Sequence, residues 1–318
     1  MPRPAFAAVA VLLLAACASS PAASPTTTLN PPASSPTAAS ASAAPSSTPA
    51  QASHAPELAE FAPGVVSTDA EEYRITFTPD GTTALFARGE RFFPQSRQAT
   101  IYETRLVDGS WTEPTVVPFS GEHPDIDPWF SPDGAHVFFS SIRPIDGVAR
   151  DDAELFRVDR VGEGWSEPVH LASLGSEADE LGASVSEDGT IIFASDRDGS
   201  AGWDLFVATP ADDDADPYGE PRPVSDLNSP VWEFNPALSA DGTQLVFTSI
   251  GRPGGSGLGD LYLAEGDGES WTEIGPLASN TGRDEYHASW SPDGGTLYFV
   301  RRSGHGDLVS VPWEDVRP

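Results

Sequence analysis

Trp129-Phe130-Ser131-Pro132-Asp133-Gly134-Ala135-His136-Val137-Phe138-Phe139-Ser140-Ser141 is an apolar run, a four-residue corner and a second apolar run. The chemistry of the corner fits a bulged hairpin. Ser131 opens a turn with a side-chain hydrogen bond, Pro132 presets φ at the second position, Asp133 tolerates the third, and Gly134 supplies left-handed geometry. Two antiparallel strands are therefore expected, one on each side. The pattern recurs. Asp-Gly steps fall at Asp80, Asp133, Asp188, Asp241 and Asp293, at intervals of 53, 55, 53 and 52 residues. A fixed period of that size marks a repeat architecture.

Aligned on the Asp-Gly step, the units share one template. Eight residues before the Asp stands an acid: Glu72, Asp125, Glu180, Glu233 or Glu285. Two before it stands a hydroxyl: Thr78, Ser131, Ser186, Ser239 or Ser291. After the corner comes a β-branched and aromatic run, as in Val137-Phe138-Phe139 and Ile191-Ile192-Phe193. A third strand is expected at segments such as Glu154-Leu155-Phe156 and Asp204-Leu205-Phe206. A fourth is expected near Trp111-Thr112-Glu113-Pro114, Trp165-Ser166-Glu167-Pro168, Tyr218-Gly219-Glu220-Pro221 and Trp271-Thr272-Glu273. Four short strands at a period near fifty describe a β-propeller blade. The fifth unit lacks a fourth strand, whereas residues 57 to 70 have no hairpin of their own. The expectation is that Phe61 to Ser67 supplies the missing outer strand beside Asp307 to Val311 and closes the ring. The fold class is thus all-β, a single propeller over 57–318. Five blades are expected, with a degenerate sixth as the alternative.

Phe130-Ser131-Pro132-Asp133-Gly134, and Ala194-Ser195-Asp196-Arg197-Asp198-Gly199 leading to Asp204-Leu205-Phe206, resemble the WD-like propeller repeat of the TolB type. The resemblance extends over essentially all of 57–318. It implies a periplasmic or extracellular propeller that acts as a binding platform. TolB itself resembles this repeat but adds an α/β domain and has six blades, neither of which is evident here. The repeat also occurs in prolyl-oligopeptidase-like enzymes. No Gly-x-Ser-x-Gly elbow occurs in this sequence, so a peptidase is discarded.

Forty-eight acids face 17 basic residues, all of them Arg, for a formal charge of -31. That balance argues against nucleic acid, which needs a basic face. It fits a soluble, self-repelling monomer and could suit a basic partner or a cation. Cys17 is the sole cysteine, so neither an internal disulfide nor a Cys/His metal cluster can be built from it; no metal or cofactor is expected. Residues 1–17 read as an export signal. Arg3 gives the positive start, and the apolar run from Ala5 to Ala16 is shorter than the roughly 20 residues of a membrane span. Leu14-Ala15-Ala16-Cys17 resembles the bacterial lipobox, which implies acylation of Cys17 and attachment to a membrane. Ala18 is not the Asp that resembles inner-membrane retention. The expected address is the outer membrane, facing the periplasm. Residues 18–56 are almost entirely Ala, Ser, Pro and Thr, with no Asp, Glu or Arg, and read as a disordered tether.

Candidate sites divide into what repeats and what varies. Arg91, Arg143, Arg197, Arg252 and Arg302 recur near the end of the second strand, beside the acids at the start of the first. Five acid–Arg pairs are expected as a structural ring. Six before the Asp, the residues differ: Arg74, Asp127, Gly182, Asn235 and His287. The strand before each turn is innermost, so these positions are expected at the mouth of the central channel. Arg74, Asp127, Asn235 and His287, with Tyr73, Trp129 and Tyr286 close by, form the candidate ligand site. Phe92 and Phe93, in the loop after the second strand of the first unit, are the candidate partner anchor. The acidic run Asp212-Asp213-Asp214-Ala215-Asp216 reads as solvation rather than a calcium loop.

Three functions compete. The first is a lipid-anchored platform for an envelope protein or polar ligand, without catalysis. The second is a carbohydrate-active or lactonase-like enzyme using Asp127 with Glu180 or Glu233. The third is a cation-binding envelope protein. Two open carboxylates from different blades would favour the enzyme, and acids all engaged by Arg would favour the platform.

Overall fold

The computed structural model of the protein describes residues 56–91, 96–211 and 217–318. Residues 1–55, with the expected signal, Cys17 and nearly all of the tether, lie outside the described residues. So do Phe92, Phe93 and the run from Asp212 to Asp216.

The first strand among the described residues is the two-residue β1 (Ala59–Glu60), and five antiparallel sheets follow in sequence order. Blade A holds β2 (Glu71–Phe77), β3 (Thr83–Gly89) and β4 (Ala99–Val107), with β5 (Ser110–Trp111) and β6 (Thr115–Val116) outermost. Blade B holds β7 (Asp125–Phe130), β8 (His136–Ser141) and β9 (Glu154–Val161), then β10 (Gly164–Trp165) and β11 (Val169–His170). Blade C runs β12 (Glu180–Val185), β13 (Ile191–Ser195), β14 (Asp204–Ala208), β15 (Arg222–Pro223). Blade D runs β16 (Trp232–Leu238), β17 (Gln244–Ile250), β18 (Gly259–Gly266), β19 (Trp271–Pro276). Blade E has β20 (Asp284–Trp290), β21 (Thr296–Arg302) and β22 (Gly306–Pro312), and borrows β1 as its fourth strand. The fold is a five-bladed propeller of four-stranded blades.

The closing strand is shorter and earlier than Phe61 to Ser67. Ala59 pairs with Ser310 and Glu60 with Val309, and Phe61 continues the ladder by donating its N–H to Leu308 O at 2.9 Å. Beyond it Ala62 (φ 44°) and Gly64 (φ 76°) are left-handed and Pro63 lies between them, so the segment turns back instead of extending. The turn buries Phe61 and Val66 between blades E and A.

Prolines also explain the fourth strands. In blades A and B the outer strand is split, with Pro114 and Pro168 in the gaps, because proline cannot donate to a ladder. The outer strand of blade D has no proline until Pro276 and keeps six continuous residues in β19.

One motif holds every blade. The second strand carries a fully buried Phe: Phe86, Phe139, Phe193, Phe247 or Phe299. In four blades it stacks on a cross-strand ring, Tyr102, Phe156, Phe206 or Tyr262; in blade E the register partner is Val309. An Arg guanidinium lies over that ring, pairs with the acid of the first strand and donates to a carbonyl of the preceding loop. The pairs are Arg88–Glu72 (3.1 Å), Arg143–Asp125 (2.7 Å), Arg197–Glu180 (3.2 Å), Arg252–Glu233 (3.2 Å) and Arg301–Glu285 (2.9 Å). The carbonyls belong to Val66, Phe119, Leu174, Leu227 and Ser279. A hydroxyl four or five residues before the acid, from Thr68, Ser120, Ser176, Ser229 or Thr281, completes each clasp.

Two of the expected arginines are replaced. In blade A the pairing residue is Arg88, not Arg91, and in blade E it is Arg301, not Arg302. Arg88 and Arg301 stand two residues after the buried Phe, hence on its face of the strand. Arg302 points the other way, and its Nη2 reaches Glu71 Oε1 of blade A at 3.0 Å. Arg91 is exposed, and its carbonyl accepts the Tyr73 hydroxyl at 2.8 Å.

Burial dominates the titration of the four clasp glutamates. It pushes Glu72 and Glu180 up to about 7 from 4.5, against the hydrogen bonds they accept, and raises Glu233 and Glu285 as well. A carboxyl that holds its proton more tightly when folded gives stability that is fully present below the unfolded value and lost as pH rises through the folded one. The turn acids Asp80, Asp133, Asp188, Asp241 and Asp293 are lowered by their Ser/Thr and backbone donors, so their contribution is lost only in strong acid. Thermal unfolding should therefore occur several degrees higher at a pH of about 5.5 than at about 8. A melting temperature that rises across that interval would contradict this account. Glu180 accepts from Ser176 N (3.0 Å), Ser176 Oγ (2.6 Å), Ser195 Oγ (2.8 Å) and Arg197 Nη2 (3.2 Å). Glu180→Gln turns an amide donor toward those donors. It should cost about 1–3 kcal/mol and flatten the pH dependence, both readable by calorimetry across pH.

Candidate functional site

Each innermost strand carries a β-bulge. The register breaks between Glu72 and Ile75, Ile126 and Trp129, Leu181 and Ser184, Phe234 and Ala237, and Tyr286 and Ser289. Two residues there face one on the neighbouring strand, which bends the chain and re-aims a side chain. In four blades the first bulge residue is left-handed: Asp127 (φ 55°), Gly182 (φ 67°), Asn235 (φ 48°) and His287 (φ 53°). Asp, Asn and His tolerate that region better than other non-glycine residues. In blade A the bulge comes one residue earlier, at Tyr73-Arg74. The variable positions are thus turned toward the propeller axis.

Their side chains meet inside the channel. Arg74 crosses it. Its Nη1 donates to Gly182 O and Ala183 O, each at 3.0 Å, and its Nη2 to Pro236 O at 2.8 Å. Those acceptors are bulge carbonyls of blades C and D, where the regular ladder is interrupted. Trp129 stacks on the guanidinium, 5.3 Å from ring centroid to Cζ. His287 Nδ1 lies 2.9 Å from Asp127 Oδ1, and Asn235 Nδ2 donates to Asp127 Oδ2 at 3.5 Å. Tyr73 meets the His287 ring edge-on at 5.4 Å. Gly182 makes room, since a Cβ there would lie 3.3 Å from Asn235 Nδ2.

Expected at the rim, Arg74, Asp127, Asn235 and His287 lie within the channel with Trp129 on Arg74, whereas Tyr73 packs against Gly89 and Tyr286 against Phe234 and Gly259 of blade D. Arg74, Asp127, Asn235, His287, Tyr73, Trp129 and Tyr286 are buried, none more than 7% exposed. Burial lowers Arg74 to about 10, opposed by Asp127, so it stays charged at neutral pH. Burial also works against the Asp127 carboxylate, but His287 and Arg74 outweigh it and hold the group below the ordinary range. The layer is a charged, mutually engaged network. Among the described residues no group of three or more metal-ligating side chains is placed to hold a cation.

On the Asp-Gly turn side of this layer the channel widens into a funnel of about 150 Å³, lined by Thr76, Trp129, Leu238, Ser289 and Trp290. On the loop side, Arg97 binds Asp179 through both oxygens, at 2.9 and 2.5 Å, joining the loop of blade A to the approach of blade C. No local pattern announces that pair, since the partners lie 82 residues apart. Arg88 and Arg301 were discoverable from the Phe-x-Arg spacing.

No family model matches the chain, and no curated protein matches it. Solved structures do. TolB from Acinetobacter baumannii is 22% identical with a TM-score of 0.49, over 80% of this chain and 57% of its own. A thermostable family-43 glycoside hydrolase is 13% identical with a TM-score of 0.53, over 77% and 90%. A manganese-bound oligogalacturonate lyase is 16% identical with a TM-score of 0.42, over 79% and 68%. The shared feature is the propeller. The chain spans little more than half the length of TolB, and at these identities the likeness concerns the fold alone.

Proposed function

We propose that the protein is a lipid-anchored envelope platform that binds a protein or polar ligand without chemistry. The anchor rests on Leu14-Ala15-Ala16-Cys17. The absence of chemistry rests on one observation above all: the channel's acid, Asp127, is buried against His287 and beside Arg74 instead of facing an open pocket. A glycosidase places two carboxyls roughly 5–9.5 Å apart around its substrate. Here Glu180 and Glu233, the suggested partners of Asp127, are themselves fully buried and each held by an Arg. The fold shared with a family-43 glycoside hydrolase keeps the enzyme reading as an alternative, against which stands the burial and pairing of Asp127, Glu180 and Glu233. Recognition falls to the loops between second and third strands, which differ in length from blade to blade, as binding loops do.

Cross-linking tests the platform. A photoreactive residue at Asp198 or Ser256, on the loop face, should capture one partner in intact cells, and the same residue at Asp241 or Asp293, on the turn face, should not. Capture from neither face, or hydrolysis of aryl glycosides abolished by Asp127→Asn, would reject the reading. Anchoring is tested separately. Cys17→Ser should move the protein from the membrane to the soluble fraction.

A further inference from the structure

The turn face carries a second recess, away from the axis. It lies between blades B and C and has a volume of about 370 Å³, within the roughly 300–1,000 Å³ of small-molecule sites. Phe138 and Tyr218 wall it, with centroids 6.4 Å apart at 65°, and Pro132 and Pro210 border it. Arg157 and His136 also line it, both fixed by one carboxylate: Arg157 Nε lies 2.8 Å and His136 Nδ1 2.7 Å from Asp159 Oδ1. Tyr218 is only 7% exposed. Its hydroxyl makes no hydrogen bond among the described residues, and the oxygen itself is not enclosed, so it is free to meet a ligand. Burial raises its pKa, so it remains a donor.

The charges around the recess narrow the ligand. Asp159 cancels Arg157, while Glu187 and Asp133 line the same cleft on a chain of net charge -31; an anion is repelled. A cation would be desolvated beside a guanidinium. A wholly apolar ligand would leave the Tyr218 hydroxyl unpaired, which is costly. A neutral ring with an apolar C–H face and several hydroxyls, each able to donate and accept, meets all three conditions. We propose that the cleft between blades B and C binds a neutral sugar ring, its C–H face on Phe138 and Tyr218 and its hydroxyls on Tyr218 Oη, His136 and Arg157. Binding here is separate from the channel and from the loop face, and involves no bond cleavage.

The full chain should be titrated with galactose, N-acetylglucosamine, glucuronate and choline, followed by amide NMR. A neutral hexopyranose should bind with a Kd of about 1 mM, the scale set by its few non-hydrogen atoms, and shift the amides of Gly189 and Tyr218. Tyr218→Phe keeps the ring and should weaken binding about tenfold at an unchanged melting temperature. His136→Gln, at a partly exposed position, offers a second variant that should weaken binding several-fold. The proposal is overturned by preference for glucuronate or choline, by shifts confined to the channel, by no saturable binding of either neutral sugar, or by undiminished binding in both variants.

Discussion

Arg74→Ala will lower the melting temperature by roughly 10 °C. The substitution removes three hydrogen bonds from a fully buried guanidinium and leaves the carbonyls of Gly182, Ala183 and Pro236 without that donor. It also takes a cation from beside the buried Asp127 carboxylate. Breaking a buried charge arrangement from one side costs about 3–5 kcal/mol, and each kcal/mol moves the midpoint of a domain this size by roughly 2–4 °C. The comparison that isolates the cause is a double variant. Arg74→Met alone should be destabilised by a similar amount, and adding Asp127→Asn should restore part of the loss, because both charges are then gone. Independent, additive costs in that cycle would show that Arg74 acts only by filling space. Arg74→Lys will not rescue, since an ammonium lacks the planar fork that reaches two blades at once.

A chain beginning at Thr68 will lose cooperative unfolding and associate. Such a truncation removes β1, the Phe61 plug and the turn that buries Val66. Phe61 packs against Phe77, Trp111 and Tyr298, with centroids 5.8, 5.3 and 5.4 Å away. Losing a buried aromatic of this kind costs about 3–5 kcal/mol. The truncation also strips Ser67 Oγ from Leu308 O and two carbonyl acceptors from Arg88. Worse, it bares β22 as a seven-residue edge. Size-exclusion chromatography should show oligomers, and a synthetic peptide spanning residues 56–67 should partly restore the monomer. A monomeric truncated protein with a sharp melting transition would mean that the blades close without their clasp.

How much of this was readable in advance depends on the range of the interaction. The corner at Ser131-Pro132-Asp133-Gly134 is demanded by local backbone geometry, so five copies of it disclosed the hairpins, the period and the ring. The acids were legible for the same reason, and three of their five Arg partners followed. Arg91 and Arg302 share the position near a strand's end with the clasp arginines but not the face that carries the buried Phe. The channel residues were found by their variability, but not their depth. Arg74 meets acceptors 108, 109 and 162 residues away, and the bulges that turn its partners inward leave no mark in composition. The cleft at Tyr218 was invisible, since His136, Arg157 and Tyr218 belong to two repeats and converge only when the blades stand side by side.

The broken outer strands have a consequence beyond their own sheets. A propeller displays one rim per blade, and each rim offers unpaired amides to any neighbouring molecule. In blades A and B the rim is cut by Pro114 and Pro168, in blade C it is two residues ending in Pro223, and in blade E it is the two residues of β1. Blade D alone has a longer rim, and there Gly275 sits at φ 146° before Pro276. None of the five gives a long flat template for strand addition. Copies crowded together on a surface would jostle without zipping, and a protein held at high local density could stay dispersed by the placement of a few imino acids.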